Sequence, residues 1–194
     1  NAGAGNLPHP TLDAIASEVA GKPVTAWCET SDIEWNDAIA RAFGVRGELL
    51  NGFTWISQPV VYLAPRVCIP LRIAFDHGYR DVGSYHLSRA MLVLIHEAVH
   101  QRGVENEAET DCTALELLPN VARAYFGYHD YRLVQRIVMG WKTVIRKVAG
   151  RKVRLRVRTA RIVQVQEADP DLPRLIGWAW AWHRAAPAAY QGLC

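Results

Sequence analysis

Hydrophobic residues are densest from Met91 to Ile95, where five apolar side chains follow one another. The stretch from Ser88 to Gln101 contains no Gly or Pro, and the apolar positions before His96 lie nearly all round the axis. This pattern predicts a helix that is buried on most faces. Ser84 or Ser88 is expected to cap its first turn.

The residues after this helix predict a bend and a second helix. Gly103 is expected to end the first helix in the left-handed conformation and to turn the chain back. The second helix is predicted to begin near Glu105 and to run through Leu118, where Pro119 would stop it. Its first turn would then face the last turn of the first helix.

The rest of the chain alternates between helical and strand periodicities, which predicts an α+β fold. We predict a single domain over residues 1–194, with a flexible end at 1–10. In the segment 130–149, apolar residues recur at helical spacing, whereas in the segment 151–161 basic and apolar residues alternate. The further predicted helices are 11–20, 31–43, 67–75, 130–149 and 172–185, and the predicted strands are 24–28, 53–56, 60–63 and 151–161.

The central helix ends in His96-Glu97-Ala98-Val99-His100, which reads H-E-x-x-H. Histidines four residues apart lie one turn apart on the same helix face, so both rings can reach one metal ion. Glu97 follows the first histidine and can act as general base toward a water on that metal. The motif therefore predicts metal-assisted hydrolysis, and the alternative is a core helix whose histidines are hydrogen-bonded to neighbours.

A third ligand is expected from the acidic start of the second helix. Glu107 and Asp111 are four residues apart and share a face, as do Glu105 and Glu109. Some of these acids would instead complement the helix macrodipole. A metzincin-type frame, H-E-x-x-H-x-x-G-x-x-H or D, would place Asn106 at the ligand position. We prefer Glu107, because a neutral amide is a poor zinc ligand.

H-E-x-x-H followed by N-E-x-x-x-D at residues 106–111 resembles the gluzincin branch of zinc metallopeptidases. The resemblance implies a zincin-like fold, mostly helical, with a small twisted sheet over the H-E-x-x-H helix. It also implies one Zn²⁺ ion held by His96, His100 and Glu107, and it makes Asp111 the residue that orients a ligand imidazole. The six residues between the second histidine and the glutamate are fewer than in the best-known gluzincins.

The shorter spacing, H-E-x-x-H-x-R-G-x-x-x-E, resembles small secreted bacterial proteins of predicted metallopeptidase type. That resemblance covers about residues 60–111 and the tail 187–194, and it implies a peptide or protein substrate. Zincins bind peptides along an edge strand, for which the segment 60–63 is our candidate, although a core strand is an equal alternative. Four further residues are candidates for donors that stabilise the transition state, namely His129, Tyr128, Tyr85 and His86.

The composition gives information on where the protein is located and little on its chemistry. Half of the residues are hydrophobic and the net charge is +3, as in globular proteins, and no apolar run is long enough to span a membrane. The four cysteines, Cys28, Cys68, Cys112 and Cys194, form no C-x-x-C pair and are typical of two disulfides, with three pairings open. We therefore expect a secreted or cell-envelope protein whose signal peptide has been removed, and the oligomeric state is left open.

The segment 151–161 is the main concentration of basic residues. Its alternation indicates a strand with one basic face, which nearby acids would balance as an ordinary solvated surface. No aromatic residues interleave with it, which argues against a nucleic-acid partner. Two functions thus compete with the hydrolase: a catalytically silent exported binding protein stabilised by its metal, and an anionic-polymer-binding module that uses this segment.

Overall fold

A computed structural model describes residues 9–44, 50–148, 151–186 and 194 of the chain. These residues form a mixed α+β structure, which confirms the predicted class. The α-helices are α1 (Pro10–Ala20), α2 (Asp32–Phe43), α3 (Pro65–His77), α4 (Ser84–His100), α5 (Glu107–Phe126) and α6 (Asp171–Ala185). The strands are β1 (Thr25–Cys28), β2 (Gly52–Thr54), β3 (Val60–Leu63), β4 (Tyr131–Val148) and β5 (Arg151–Ala168). The expected flexible end at 1–10 and the tail at 187–194 lie mostly outside the described residues.

The chain divides into two compact units, one of residues 1–128 and 170–194 and the other of residues 129–169. The first unit contains all six helices and the strands β1 to β3, and the second consists of β4 and β5. The prediction of one zincin-like domain over the whole chain stays a prediction.

Helix α4 lies at the centre of the first unit, in contact with α1, α3, α5 and α6. Its residues from Met91 to Ile95 are all buried, as the continuous apolar run predicts. A three-stranded sheet packs beside it in the order β1-β3-β2, with β1 parallel and β2 antiparallel to β3. The adjacent predicted strands 53–56 and 60–63 are confirmed as β2 and β3, and they form an antiparallel hairpin.

The central position of β3 corrects one prediction. The segment 60–63 is bounded by β1 on one side and by β2 on the other, so its backbone hydrogen-bonding groups are already paired. It cannot be the edge strand that receives a peptide. The two edge strands of the described sheet are β1 and β2, and β2 packs against α4.

Two helix boundaries differ from prediction. Helix α4 begins at Ser84 with Gly83 as its N-cap residue and has no side-chain cap, so neither Ser84 nor Ser88 caps it. Helix α5 continues through Pro119 as far as Phe126. A proline inside a helix removes one backbone hydrogen bond, but Leu118, Phe126 and their apolar neighbours are buried along the same helix. Burial of this later half outweighs the missing bond.

The second unit is a two-stranded antiparallel ribbon in which each strand has 18 residues. The predicted helix at 130–149 is therefore wrong, whereas the predicted strand at 151–161 is confirmed as part of β5. Apolar residues four apart, such as Leu133, Ile137 and Trp141, satisfy two strand repeats as well as one helical turn. The many β-branched residues of the segment, together with pairing to β5, favour the strand.

Two disulfides join segments of the first unit that are distant in sequence. Cys28 of β1 is bonded to Cys68 of α3, and Cys112 of α5 is bonded to Cys194. The two expected disulfides are thus confirmed, and one of the three open pairings is selected. No helix in the described part of the chain combines the length and the apolar character that a membrane crossing needs.

Candidate metal centre

Helix α4 presents both histidines of the H-E-x-x-H motif on one face of its last turn. His96 and His100 are mostly buried, with 12% and 13% of their side chains exposed. Their Nε2 atoms lie 3.0 Å apart. This convergence follows from the four-residue spacing of the motif on a regular helix.

The chain then bends and brings the start of α5 against this turn. Gly103 has a positive φ of 93°, which agrees with its predicted role in the bend. The side chain of Asn106 caps α5 by accepting a hydrogen bond from the backbone N–H of Glu109 at 3.0 Å. Asn106 is therefore a capping residue, which disfavours the metzincin-type frame. Glu107 follows it as the first residue of α5.

The three candidate ligand atoms lie close enough together to contact one metal ion. The Oε2 atom of Glu107 lies 3.1 Å from His96 Nε2 and 3.6 Å from His100 Nε2. Donors that hold one tetrahedral Zn²⁺ are about 3.3 Å from one another, because each lies about 2.0–2.2 Å from the ion. Among the described residues, His96, His100 and Glu107 form a group that could hold a metal ion.

The hydrogen bonds behind the rings fix how each imidazole is protonated. His100 Nδ1 lies 2.6 Å from the carbonyl oxygen of Val104, which can only accept, so Nδ1 donates the proton. His96 Nδ1 lies 2.6 Å from a carboxylate oxygen of Asp111 and donates to it likewise. In the neutral rings both Nε2 atoms therefore present lone pairs toward Glu107. Three lone pairs this close together repel one another unless a proton or a cation lies among them.

The pKa values of the site also show that positive charge is favoured between the imidazoles and Glu107. Burial alone would lower the pKa of His96, but its hydrogen bonds to Asp111 and Glu107 outweigh burial and raise the pKa to about 10. The hydrogen bonds from His100 and His96 lower the pKa of Glu107 to about 2. When no metal is bound, the proton that His96 keeps at neutral pH offsets part of the negative charge of the acids. A divalent cation would replace that proton.

Glu97 is a buried carboxyl group beside the ligands. Burial raises its pKa to about 7, although the charges of His96 and His100 oppose the shift. A carboxyl group with a pKa near neutrality can both accept and release a proton under physiological conditions. Gly52 at the start of β2 packs directly on it, because a Cβ atom at Gly52 would lie 2.9 Å from Glu97 Cγ and 3.1 Å from its Oε1.

Asp111 connects the candidate metal centre to the last helix. Its second carboxylate oxygen lies 3.1 Å from Nδ1 of His183 on α6, and both side chains are 5% exposed. Asp111 thus binds two imidazoles at once, which fixes the direction of its carboxylate. The adjacent disulfide from Cys112 to Cys194 ties the end of the chain to this part of α5, and Cys194 Sγ lies 3.6 Å from His183 Nε2.

The four predicted donor candidates lie in different places. Tyr85 and His86 belong to the first turn of α4, about 15 Å along the helix axis from His96. Tyr128 is buried, with its ring centroid 4.1 Å from that of Tyr79. His129 belongs to the second unit. A catalytic role for any of them stays a prediction.

Three residues at or near the candidate metal centre are not predicted from the sequence. Gly52, His183 and Gln101 are each far in sequence from the groups they contact. Gln101 is buried and its side-chain amide donates to Thr54 Oγ1 and, at 2.9 Å, to the carbonyl of Trp55, which attaches the end of β2 to the end of α4. No local pattern encodes such contacts, and only the histidine could have been listed as a candidate by residue type.

Comparisons with known protein families, with curated proteins and with solved structures find no significant match to this chain. A function therefore has to be inferred from the side chains that the fold brings together. In this chain those are three convergent candidate ligand atoms, a carboxylate behind one of them, and a buried acid next to them.

Proposed function

We propose that this protein is a zinc-dependent hydrolase, and specifically a metallopeptidase. The observation that carries the proposal is the convergence of three ligand atoms, 3.0–3.6 Å apart, beside the buried carboxyl group of Glu97. A purely structural metal site closes its coordination with protein groups, whereas a catalytic site leaves one position open. Three protein ligands next to a general base are therefore typical of a hydrolytic site.

Each residue has a distinct role in this proposal. His96, His100 and Glu107 would hold one Zn²⁺ ion, and Asp111 keeps the His96 ring in the orientation that presents Nε2. The ion would supply Lewis-acid polarisation of water and of the substrate carbonyl. Glu97 would take a proton from the attacking water and pass it to the leaving amine. A pKa near 7 in the metal-free site suits a group that both accepts and donates.

Strand β2 supports a peptide as the substrate. In the described sheet it pairs with β3 on one side only, and it lies against α4 at Gly52 and Thr54. An extended peptide could add to its unpaired side through backbone hydrogen bonds and so pass close to Glu97. The two disulfides favour an exported protein that acts on peptides outside the cytoplasm.

Metal content and peptide hydrolysis together test the proposal. Purified protein should contain about one zinc per chain, and Glu107→Ala should lose most of it. Glu105→Ala removes an exposed acid from the same loop and should keep the metal, so it is the matched control. Against a quenched-fluorescent peptide library, Glu97→Gln should keep zinc but lose about 10²–10⁴-fold in kcat.

Two outcomes would contradict the proposal in different ways. Full zinc occupancy in Glu107→Ala would show that the third ligand is another residue. Zinc in the wild type without cleavage of any library peptide, at a level that Glu97→Gln does not change, would favour the metal-stabilised silent protein.

A further inference from the structure

The charges of the chain are divided unequally between the two units. Residues 129–169 contain eleven Lys and Arg against three Asp and Glu, a net charge of +8. The remaining residues contain eleven basic and sixteen acidic side chains, a net charge of −5. The small net charge of the whole protein is therefore the sum of a strongly basic ribbon, residues 129–169, and an acidic first unit.

The ribbon formed by β4 and β5 also exposes large hydrophobic side chains. Every second residue of a strand lies on the same face, so the odd-numbered positions of β4 share one face. Six large apolar side chains on that face are between 51% and 72% exposed. We call them the apolar row: Tyr131, Leu133, Ile137, Met139, Trp141 and Ile145.

A row of arginines lies beside the apolar row on the same face. Directly opposite residues of an antiparallel pair share a face, and Ile145, Thr143 and Trp141 are opposite Arg154, Arg156 and Arg158. These three form the arginine row. The guanidinium of Arg156 lies 5.5 Å from the centre of the Trp141 ring. One face of β4 is thus apolar where the same face of β5 is cationic.

A ribbon of this kind needs a partner. Two-stranded hairpins are marginally stable in water by themselves, and a row of large exposed apolar side chains is typical of an interaction surface. Each strand is about 60 Å long at about 3.3 Å per residue. The partner must therefore cover apolar side chains and at the same time neutralise a row of arginines.

These two requirements select among classes of partner. The phosphate backbone of a nucleic acid would neutralise the arginines but would leave aliphatic residues such as Leu133, Ile137 and Ile145 in water. The ribbon of a second copy would bring +8 against +8, which is repulsive. The boundary between headgroups and acyl chains of an anionic membrane offers phosphates and an apolar layer side by side.

We propose that the ribbon binds the surface of membranes rich in anionic lipid. The apolar row enters the boundary between headgroups and acyl chains, and Trp141 and Tyr131 take the interfacial depth that aromatic side chains prefer. The arginine row binds lipid phosphates, while the aliphatic stems of the arginines lie along the apolar layer. The inference rests on the ribbon alone and is independent of the metal centre.

Co-sedimentation of the whole protein with vesicles tests this proposal. Binding is expected to vesicles of phosphatidylglycerol and phosphatidylcholine, to weaken at high salt, and to be absent with phosphatidylcholine alone. The triple variant Arg154→Gln, Arg156→Gln, Arg158→Gln should bind roughly a hundredfold less, since each basic residue near an anionic surface contributes about a factor of five. The triple variant Lys22→Gln, Arg41→Gln, Arg123→Gln removes the same charge from exposed positions of the first unit and should bind normally.

A second pair of variants tests the apolar row. Ile137→Ser with Ile145→Ser should lower vesicle binding by roughly tenfold or more, because both residues would leave the acyl boundary. Ile33→Ser with Ile69→Ser changes two equally exposed isoleucines of the first unit and should leave binding unchanged. Circular dichroism of all four variants should match the wild type, because every changed side chain is exposed.

Three results would overturn the proposal. Equal losses in the arginine variant and in its control at Lys22, Arg41 and Arg123 would mean that net charge alone attracts the protein. Tight retention on heparin or DNA without vesicle binding would identify an anionic polymer as the partner. Concentration-dependent dimerisation that is lost in Ile137→Ser with Ile145→Ser, again without vesicle binding, would identify a second copy.

Discussion

The first unit buries its large hydrophobic side chains, whereas the ribbon exposes side chains of the same kinds. Ile15 on α1 is fully buried, whereas Ile137 on β4 is 70% exposed. The first unit packs acids and histidines together around a candidate metal site, whereas the ribbon displays arginines beside exposed apolar side chains. Under the two proposals above, the units therefore take different partners: a metal ion inside the first and an anionic surface outside the second.

The largest expected difference between the units is in stability. Ile15→Ala should destabilise the protein by about 2–5 kcal/mol, because it leaves a cavity in a closed core. Ile137→Ala removes the same atoms from a mostly solvated position and should cost less than about 0.5 kcal/mol. Urea unfolding followed by circular dichroism measures both. A large loss in Ile137→Ala would mean that the ribbon is already covered within the free protein.

Removal of zinc should affect only the first unit. Zinc at about a thousand times its Kd would stabilise the folded state by about 4 kcal/mol, so chelation should lower the Tm by about 10 °C. Hydrogen exchange should lose protection around His96 and Glu107 and stay unchanged in β4 and β5. Glu107→Ala should show neither response to the chelator. An equal loss of protection in the ribbon would show that zinc stabilises both units, contrary to this prediction.

The parts of each unit that could be predicted from sequence are those set by local rules. The helix of His96, the bend at Gly103 and the start of α5 follow from spacing and capping over about fifteen residues. Strand β4 of the ribbon was predicted as a helix, because apolar residues four apart fit the helical and the strand periodicity alike. Only pairing with β5 decides between the two. The central position of β3 depends on parallel pairing with β1, which no local pattern encodes.

The contacts of His183 with Asp111 could not be predicted for a similar reason. The two residues are 72 positions apart, and the histidine has no neighbour in sequence that hints at a metal centre. It becomes part of the site only because α6 packs on α4 and α5. A single sequence shows which residues can ligate but not which distant ones support them.

Loss of Asp111 should weaken zinc binding more than loss of His183, the second imidazole that Asp111 contacts. Asp111→Ala removes the acceptor of His96 Nδ1–H and should lower zinc affinity by about 10–100-fold. His183→Gln acts one contact further away and should cause a smaller decrease. Glu167→Ala removes a carboxylate that pairs with Arg136 in the ribbon and should leave zinc affinity unchanged. Competition with a chromophoric chelator gives all three affinities, and equal values for Asp111→Ala and the wild type would remove Asp111 from the centre.

The pH dependence of stability should reverse when zinc is added. The pKa of His96 is about 10 in the folded metal-free protein, above its ordinary 6.5, so its contribution is complete below pH 6.5 and is lost as the pH rises through 10. The pKa of Glu97 is about 7 against 4.5, so its contribution is likewise lost as the pH rises through 7. Chelator-treated protein should therefore become less stable from pH 5 to 9, by at most about 1.4 kcal/mol per pH unit for each proton.

Zinc-loaded protein should change in the opposite direction over that range, because protons and zinc compete for the same Nε2 atoms and higher pH favours the metal. Urea unfolding at several pH values, with and without zinc, measures the difference between the two forms. A difference that stays constant with pH would mean that the imidazoles do not bind the ion.

The smallest expected effect comes from two glycines that differ in their surroundings. A methyl group at Gly52 would meet Glu97 Cγ at 2.9 Å and Val93 Cγ1 at 3.0 Å, so Gly52→Ala must displace Glu97, the proposed general base. We expect about a tenfold decrease in kcat with normal zinc content, since a small misplacement of a catalytic group is costly. Gly140 in the ribbon is the matched control, because its added methyl group would be 3.7 Å from Thr159 Oγ1, an ordinary contact. If Gly52→Ala kept full activity, close packing of β2 on Glu97 would have no part in catalysis.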